Sequence, residues 1–551
     1  MILGYKNVLK CIIKKIPYVF CRISVNNFHL NMKWISKQYY IYKFIKIIYP
    51  NYSFLLFFYE NSKIINKMIS NKNIYDVFKN NLMEYYKLVK NEKKMFIHCI
   101  ATTCHLLDDD FVKIIMDDLL NTTDINYLYW LGMDISHTTF KEGNGIYSNF
   151  YNKRKLVLGR IVQNSNIIKP QKKYSYKSSL KICILSYQLH SDIHNSSQRV
   201  CSMFANNLIN YYDDIVVLCT DSTCQSINEK RNYFTILKTN NSNVKHKYIK
   251  ELFNPSVKIK YVNGKNCIER SQNMINTLYD YNPDIIVDIT DEYSPLSFYY
   301  SQDYFTMYVP MRGAASSQYY SNILGVPFKY LNTNKNFNNC IDMQKVVNWS
   351  FPEYIPQQKG EFTKRDIGLN NNQFCVISIG NNECFSSDFV DEICSLLTKN
   401  NNIVWLLVGT NGSDYLHQKY NELINDKRII EWGYEKNLAG ICKACDVHLR
   451  YNMTGGSGGT AIAAMQGLPI VMTNYICDAS RWLGLDYSVI DNYHDLAEDI
   501  QRLYDDKVYY NDRKLITKKL ISKAIDSPEK WEELAGKLKS AYERWQANQY
   551  V

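Results

Sequence analysis

At 551 residues the chain exceeds what a single hydrophobic core supports, and a typical domain of roughly 150 residues points to three or four units. Hydrophobic residues at 46% and charged residues at 21% exclude a mainly disordered chain, and the scarcity of glycine and proline excludes collagen-like or linker-dominated architectures. The net charge of +12 is uneven: no acidic residue precedes Glu60, while Lys6, Lys10, Lys14, Lys15, Arg22, Lys33, Lys37, Lys43 and Lys46 are interleaved with Ile, Phe, Tyr and Val. That pattern suits a surface lying on anionic lipid or nucleic acid, and equally a helical layer whose basic face is merely solvated.

Residues 1–178 show helical spacing of apolar positions, clearest at 74–89 and 109–120, and carry no recognisable chemistry. From Leu180 the pattern changes. SLKICILSYQ reads as a buried strand, SQRVCSMFANNLI as a helix, and DIVVLC, VKIKYV, DIIVDIT and FTMYVP as further strands. Continuously apolar strands alternating with helices indicate a parallel sheet covered on both faces. After the proline-marked crossing at 351–360 the cycle restarts. Strands QFCVISIG, NIVWLLVG, RIIEWG, DVHLR, LPIVMT and YSVI alternate with helices FVDEICSLLTK, YLHQKYNELI, LAGICKA and GTAIAAMQG. The expected α/β architecture is two Rossmann-like domains facing across a cleft, at 179–356 and 357–526, preceded by the mainly helical basic region. A final helix over 527–551 is capped by Ser527, Pro528 and Glu529, and carries an apolar stripe, Trp531, Leu534, Leu538, Tyr542 and Trp545, to pack at the domain junction.

The sharpest local feature is TGGSGGT, residues 454–460, between a strand and a helix. Glycines let the backbone approach a ligand, and successive amides at a helix start form an anion site of the kind a diphosphate requires. The order IVWLLVG, RIIEWGY, NLAGICKACD and GGSGGT…AMQGLPIV resembles the donor half of GT-B glycosyltransferases, especially the group 1 and related nucleotide-sugar-dependent families. The resemblance covers about 373–500 closely, 180–356 in layout only, and does not reach 1–178. It implies a donor diphosphate at Gly456, Ser457, Gly458, Gly459 and Thr460, donor contact at Gly380 and Asn381, and the nucleobase at Trp432, Gly433 and Tyr434. Arg450, closing DVHLR, suits neutralisation of phosphate charge. Retaining members carry two glutamates eight residues apart, and those positions here are Thr454 and Ile462, neither of which ionises. Asp478, after the next strand, is the substitute for the ribose-binding carboxylate.

An inverting transfer needs a base for the acceptor hydroxyl. The loop QLHSDIHNSSQR offers His190, Asp192 and His194 at a strand end, and VDITDEYSP offers Asp288, Asp291 and Glu292 at another. Cys442 and Cys445 form a lone C-x-x-C whose expected role is packing. No P-loop, G-x-S-x-G or H-E-x-x-H is present.

The resulting expectation is a glycosyltransferase moving a hexosyl group from a nucleotide-diphosphate sugar to a hydroxyl or amide of a glycan, lipid-linked or protein acceptor. No metal or other cofactor and no nucleic acid is expected. Sixteen scattered cysteines, some in strands, and the lack of a signal or spanning segment fit a cytoplasmic protein, with peripheral contact to the inner face of a membrane through the basic N-terminus. Two other classes remain open: an NAD-dependent oxidoreductase, since Gly456, Gly458 and Ala461 satisfy G-x-G-x-x-A with Asp478 downstream, and a non-catalytic partner protein of the same fold.

Overall fold

The computed structural model describes residues 109–125, 148–172, 179–186, 196–219, 251–262, 267–289, 296–309, 321–325, 346–347, 360–380, 385–409, 414–452, 457–474, 479–484 and 487–549, with isolated positions between them. The basic segment before Glu60 and most of the 351–360 crossing lie outside them. The chain divides into two compact units, Met1–Asn322 and Ile323–Val551. Among the described residues no helix is long and apolar enough to cross a membrane.

In the first unit every described element before residue 179 is helical, including α1 (Asp109–Asn121) and α2 (Ser148–Ser165). Phe111, Ile115, Met116 and Leu119 of α1 and Val157, Leu158 and Ile161 of α2 are buried, and the two helices pack on one another. The Ser165 and Tyr299 hydroxyls, 2.8 Å apart, tie α2 to the following domain. That domain contains β1 (Lys181–Ser186), α3 (Ser196–Leu208), β2 (Asp214–Cys219), β3 (Lys258–Tyr261), α4 (Cys267–Tyr281), β4 (Ile285–Ile289), α5 (Leu296–Tyr300) and β5 (Phe305–Tyr308). The sheet of the first unit runs in the order β3-β2-β1-β4-β5, and two short strands past the division, β6 (Ile323–Gly325) and β7 (Val346–Val347), pair with each other in parallel. β1, β2 and β4 are buried almost throughout, as the parallel pairing of β1 with both neighbours requires. On one face Cys183, Leu185, Val216, Leu218 and Ile286 meet Met274, Ile275 and Leu278 of α4 and Tyr299 and Tyr300 of α5.

The second sheet has the order β10-β9-β8-β11-β12. Its strands are β8 (Phe374–Ile379), β9 (Ile403–Val408), β10 (Ile429–Gly433), β11 (Val447–Leu449) and β12 (Ile470–Val471). The connecting and covering helices are α6 (Ser387–Lys399), α7 (Asp414–Lys419), α8 (Asn421–Asn425), α9 (Leu438–Cys442), α10 (Ser457–Met465), α11 (Ser480–Leu483), α12 (Tyr493–Asp505), α13 (Lys507–Ala524) and α14 (Pro528–Gln549). Alternation along the strands divides the core. Cys375, Ile377, Val404, Leu406 and Val408 face α9, α10 and α13, while Val376, Ile403, Trp405 and Leu407 face α6 and α12. Trp405 is fully buried, and its indole N–H donates to Ser378 Oγ at 3.0 Å, which in turn donates to the Leu449 carbonyl at 2.9 Å. On α14, Trp531, Leu534, Leu538 and Tyr542 are buried and Trp545 stacks on Tyr542.

Two expected elements differ. YLHQKYNELI is two helices, broken at Tyr420 with φ −126° and ψ 29°. Tyr415 and Tyr420 both bond Asp391 Oδ1, at 2.7 and 2.8 Å, and Lys419 reaches Oδ2 at 2.8 Å. Residues five apart point about 140° away from each other on a continuous helix, so both tyrosines reach one carboxylate only if the helix turns. YSVI, residues 487–490, is not a strand, and Val489 is exposed. In β12 it is Pro469 and Val471 whose carbonyls bond β11, which turns the Ile470 N–H and C=O outward. Side chains take up those groups: Tyr487 Oη lies 3.3 Å from the Ile470 N–H and 3.0 Å from its carbonyl, and Arg513 Nη2 donates to the same carbonyl at 2.8 Å. The Asn474 N–H still donates to the Ile490 carbonyl at 2.7 Å, but with Ile470 answered by side chains the two segments form no ladder.

Removing that hydroxyl strands the Ile470 N–H. Tyr487→Phe is expected to lower stability by about 1–2 kcal/mol, read in urea as a lower midpoint with an unchanged slope.

Candidate functional site at the β8–β11 switch point

β8 and β11 lie side by side, with Val376 opposite Val447 and Ile377 opposite His448, although they are the first and fourth strands of their sheet. From β8 the chain crosses to β9 on one side, and from β11 to β12 on the other. The connections diverge at the carboxyl ends of the strands and open a crevice there, which is where open α/β sheets bind ligands.

Glycine lines this rim. β8, β9 and β10 each end in a glycine with positive φ: Gly380 at 150°, Gly409 at 90° and Gly433 at 75°. Backbone packs on backbone: Gly380 N–H donates to the Val408 carbonyl at 2.9 Å, and Gly409 N–H to the Gly433 carbonyl at 2.6 Å. A Cβ on Gly380 would stand 1.9 Å from Tyr451 Oη and 2.9 Å from its Cζ. The phenol, buried and edge-on to Phe385 at 4.8 Å, therefore occupies space that only glycine leaves. Across the crevice, α10 opens at Ser457. A Cβ on Gly459 would touch Ile379 Cγ2 at 3.0 Å, so the first turn lies directly on the end of β8, whereas one on Gly458 would meet nothing within 4 Å. One side of the turn is fixed to the sheet and the other is open. The first amides of a helix have no partner within it, and the macrodipole adds partial positive charge.

Beneath this turn is a buried polar chain. His448, Arg450 and Thr460 are 2%, 6% and 1% exposed. His448 Nδ1 is 3.1 Å from the Ile377 carbonyl oxygen, and its Nε2 is 3.2 Å from Thr460 Oγ1. Arg450 Nη1 donates to the same Oγ1 at 2.8 Å. A carbonyl only accepts, so the imidazole proton sits on Nδ1 and Nε2 accepts from the Thr460 hydroxyl. Burial, and secondarily the Arg450 charge, push the His448 pKa down to about 3, so the ring is neutral wherever the protein is folded near neutral pH. A guanidinium, a neutral ring and a helix N-terminus thus stack at one point, and the sum is electropositive.

The positions expected from the sequence to hold a nucleobase sit two strands away, about 10 Å across the sheet. Trp432 is half-buried, edge-on to Phe362 at 5.7 Å, and its indole donates to Glu435 Oε2 at 3.0 Å. Glu435 Oε1 also accepts from the Asn437 N–H at 2.6 Å, and Asn437 caps α9. Tyr434, past the Gly433 turn, is 65% exposed.

Of the residues singled out from the sequence, Gly380, Arg450, Gly458, Gly459 and Thr460 converge on the switch point, with Trp432, Gly433 and Tyr434 along the same rim. Ser457 begins α10. Asn381, Gly456, Asp478, His190, Asp192, His194, Asp291 and Glu292 lie outside the described residues. Asp288 is fully buried and accepts a hydrogen bond from the Tyr300 hydroxyl, so it is enclosed within the first unit. Cys442 and Cys445 are buried free thiols, Cys445 Sγ lying 3.5 Å from Cys375 Sγ. His448 was not singled out. Its signal is a histidine at an inward position of an otherwise apolar strand, twelve residues before a threonine in the first turn of the following helix.

Two consequences are measurable. Gly380→Ala is expected to lower stability by about 1–3 kcal/mol, because the left-handed backbone and the Tyr451 contact are both violated, and circular dichroism melts against wild type test this. The His448 site acts on acid stability. The unfolded histidine takes up a proton as pH falls below about 6.5, whereas the folded one does not until about 3, so stability present at neutral pH is lost on acidification. Wild type is expected to lose about 2 kcal/mol more than His448→Gln between pH 6.5 and 4.5, read from urea midpoints.

No family model and no curated protein matches the sequence. Among solved structures, the chain is similar to a Thermobaculum terrenum O-GlcNAc transferase mutant, at 11% identity over 97% of both chains with a TM-score of 0.54. It is also similar to Anabaena Alr3699/HepE in complex with UDP and glucose, at 12% identity over 66% of this chain and all of that one, TM-score 0.46. For WaaG, a glycosyltransferase involved in lipopolysaccharide biosynthesis, the identity is 11% over 65% of this chain and 99% of that one, TM-score 0.42. With two parallel, Rossmann-ordered sheets and a glycine-rimmed switch point in the second, the chain has the GT-B fold.

Proposed function

We propose that the protein is a glycosyltransferase that moves a hexosyl group from a nucleotide-diphosphate sugar to a hydroxyl or amide acceptor. The observation that carries this reading is the first turn of α10. It is seated on Ile379, open at Gly458, and backed from below by Arg450 through Thr460. A diphosphate is the ligand such a site suits: its charge is spread over several oxygens, matching several convergent amides at a positive helix end. The Gly433–Tyr434 rim, about two strand spacings away, is a separation a nucleoside diphosphate spans.

In this reaction negative charge develops on the departing diphosphate as the bond to the sugar breaks. Amides fixed at the start of α10 stabilise that charge without reorganising, and the guanidinium below strengthens the field. The acceptor proton goes to a base among His190, Asp192, His194 and Asp291, which follow the first and fourth strands of the first sheet in sequence. Backbone donors and an arginine supply the charge stabilisation this scheme requires, so it includes no metal step. The acceptor is a glycan, a lipid-linked intermediate or a protein, and the basic N-terminal segment would bring the enzyme to a membrane surface in the lipid-linked case.

A dinucleotide oxidoreductase fits the site less well. A dinucleotide fingerprint follows the first strand of its sheet, here β8, where the chain turns through Gly380 toward α6. The glycine cluster follows the fourth strand, β11.

A thermal-shift panel of nucleotide-diphosphate sugars, with nicotinamide dinucleotides as controls, tests the proposal. Sugar nucleotides are expected to raise the unfolding temperature, and Arg450→Met to weaken their binding about 10–100-fold, the equivalent of about 1.5–3 kcal/mol. Stabilisation by the dinucleotides alone would overturn it.

A further inference from the structure

We infer that His448 is a positioning residue for the donor site: by accepting the Thr460 hydroxyl proton, its Nε2 turns the Thr460 lone pairs toward Arg450 and so fixes the guanidinium under the first turn of α10. The inference rests on the diphosphate reading of that turn.

The wiring leaves no alternative orientation at any link. The Ile377 carbonyl belongs to β8, the strand paired with β11, and can only accept, which places the imidazole proton on Nδ1. Nε2 is then an acceptor, and the only proton it can take from Thr460 Oγ1, 3.2 Å away, is the hydroxyl hydrogen. In a helix a threonine hydroxyl ordinarily donates to a carbonyl one turn earlier. Here that proton goes sideways into the strand, and the oxygen keeps its lone pairs for Arg450 Nη1 at 2.8 Å. The strand therefore sets the hydroxyl, and the hydroxyl sets the arginine. All three side chains are at least nine-tenths buried, so water does not compete for these bonds. A histidine suits the task because its ring donates from one edge and accepts on the other, and because burial keeps it from taking a second proton beside a guanidinium.

The substitutions separate orientation from packing. His448→Gln keeps an acceptor near the position of Nε2, while His448→Leu keeps the bulk and loses it. Titration of the full-length protein with inorganic pyrophosphate and with uridine diphosphate is expected to show His448→Leu and Thr460→Val each binding about tenfold more weakly than wild type. The double variant should be no weaker than either single one, since both break one chain, and His448→Gln should stay within about threefold of wild type. Equal affinity in wild type and His448→Leu, equal losses in the glutamine and leucine variants, or additive losses in the double variant would each overturn the inference. A wild-type protein that binds neither probe would sink the diphosphate reading instead. The wiring is then judged by the imidazole nitrogen-15 spectrum, which should show the Nδ1–H tautomer unchanged from pH 5 to 8 and an Nε2 resonance that moves in Thr460→Val. An Nε2–H tautomer overturns the inference whatever the ligand result.

Discussion

The close approach of α10 to the end of β8 is the contact on which the second unit's site depends. Strand β11 delivers the chain to the crevice, but the orientation of the helix that follows is set by a neighbour it does not continue from. Gly459 lets the helix settle on Ile379, and Gly380 lets the strand end beneath Tyr451 without collision. A methyl on Gly459 would press on the Ile379 side chain at 3.0 Å, and one on Gly380 would collide with the Tyr451 phenol. The proposed anion site would therefore be a product of packing before it is a product of charge.

Charge enters from below. Burying a guanidinium in a β-sheet domain is unfavourable unless its donors are answered, and α10 answers part of that demand with Thr460, held in turn by His448 of β11. The arrangement links three secondary-structure elements, β8, β11 and α10, through side chains whose hydrogen-bond roles are fixed by a single backbone carbonyl. A site of this sort is organised before any ligand arrives, and electrostatic stabilisation of a leaving group relies on that prior order.

Much of this was legible in the residues. DIVVLC and NIVWLLVG are continuous apolar runs of strand length, DIIVDIT is one broken only by Asp288, and each is a buried parallel strand. The glycine cluster between DVHLR and TAIAAMQG marked the turn that α10 opens. Where the sequence misled, a distant side chain had taken over a backbone role. Asp391, on another helix, bends YLHQKYNELI at Tyr420, and Tyr487 and Arg513 occupy the hydrogen-bonding edge that YSVI would have used. His448 went unnoticed for a related reason. Its spacing to Thr460 has no periodicity to announce it, because the partnership exists only once β11 and the following helix have packed.

The sealed rim of β12 reaches beyond the fold of one molecule. A bare sheet margin is a template on which another chain's backbone can dock, and this one is closed by a phenol and a guanidinium rather than by charge repulsion or a covering strand. That margin of the sheet is thereby closed to a further strand. The stretch 487–490 is held to the β12 side by the Tyr487 and Ser488 hydroxyls and the Ile490 carbonyl, so the exposed Val489 side chain can be exchanged for a polar residue without disturbing the sheet.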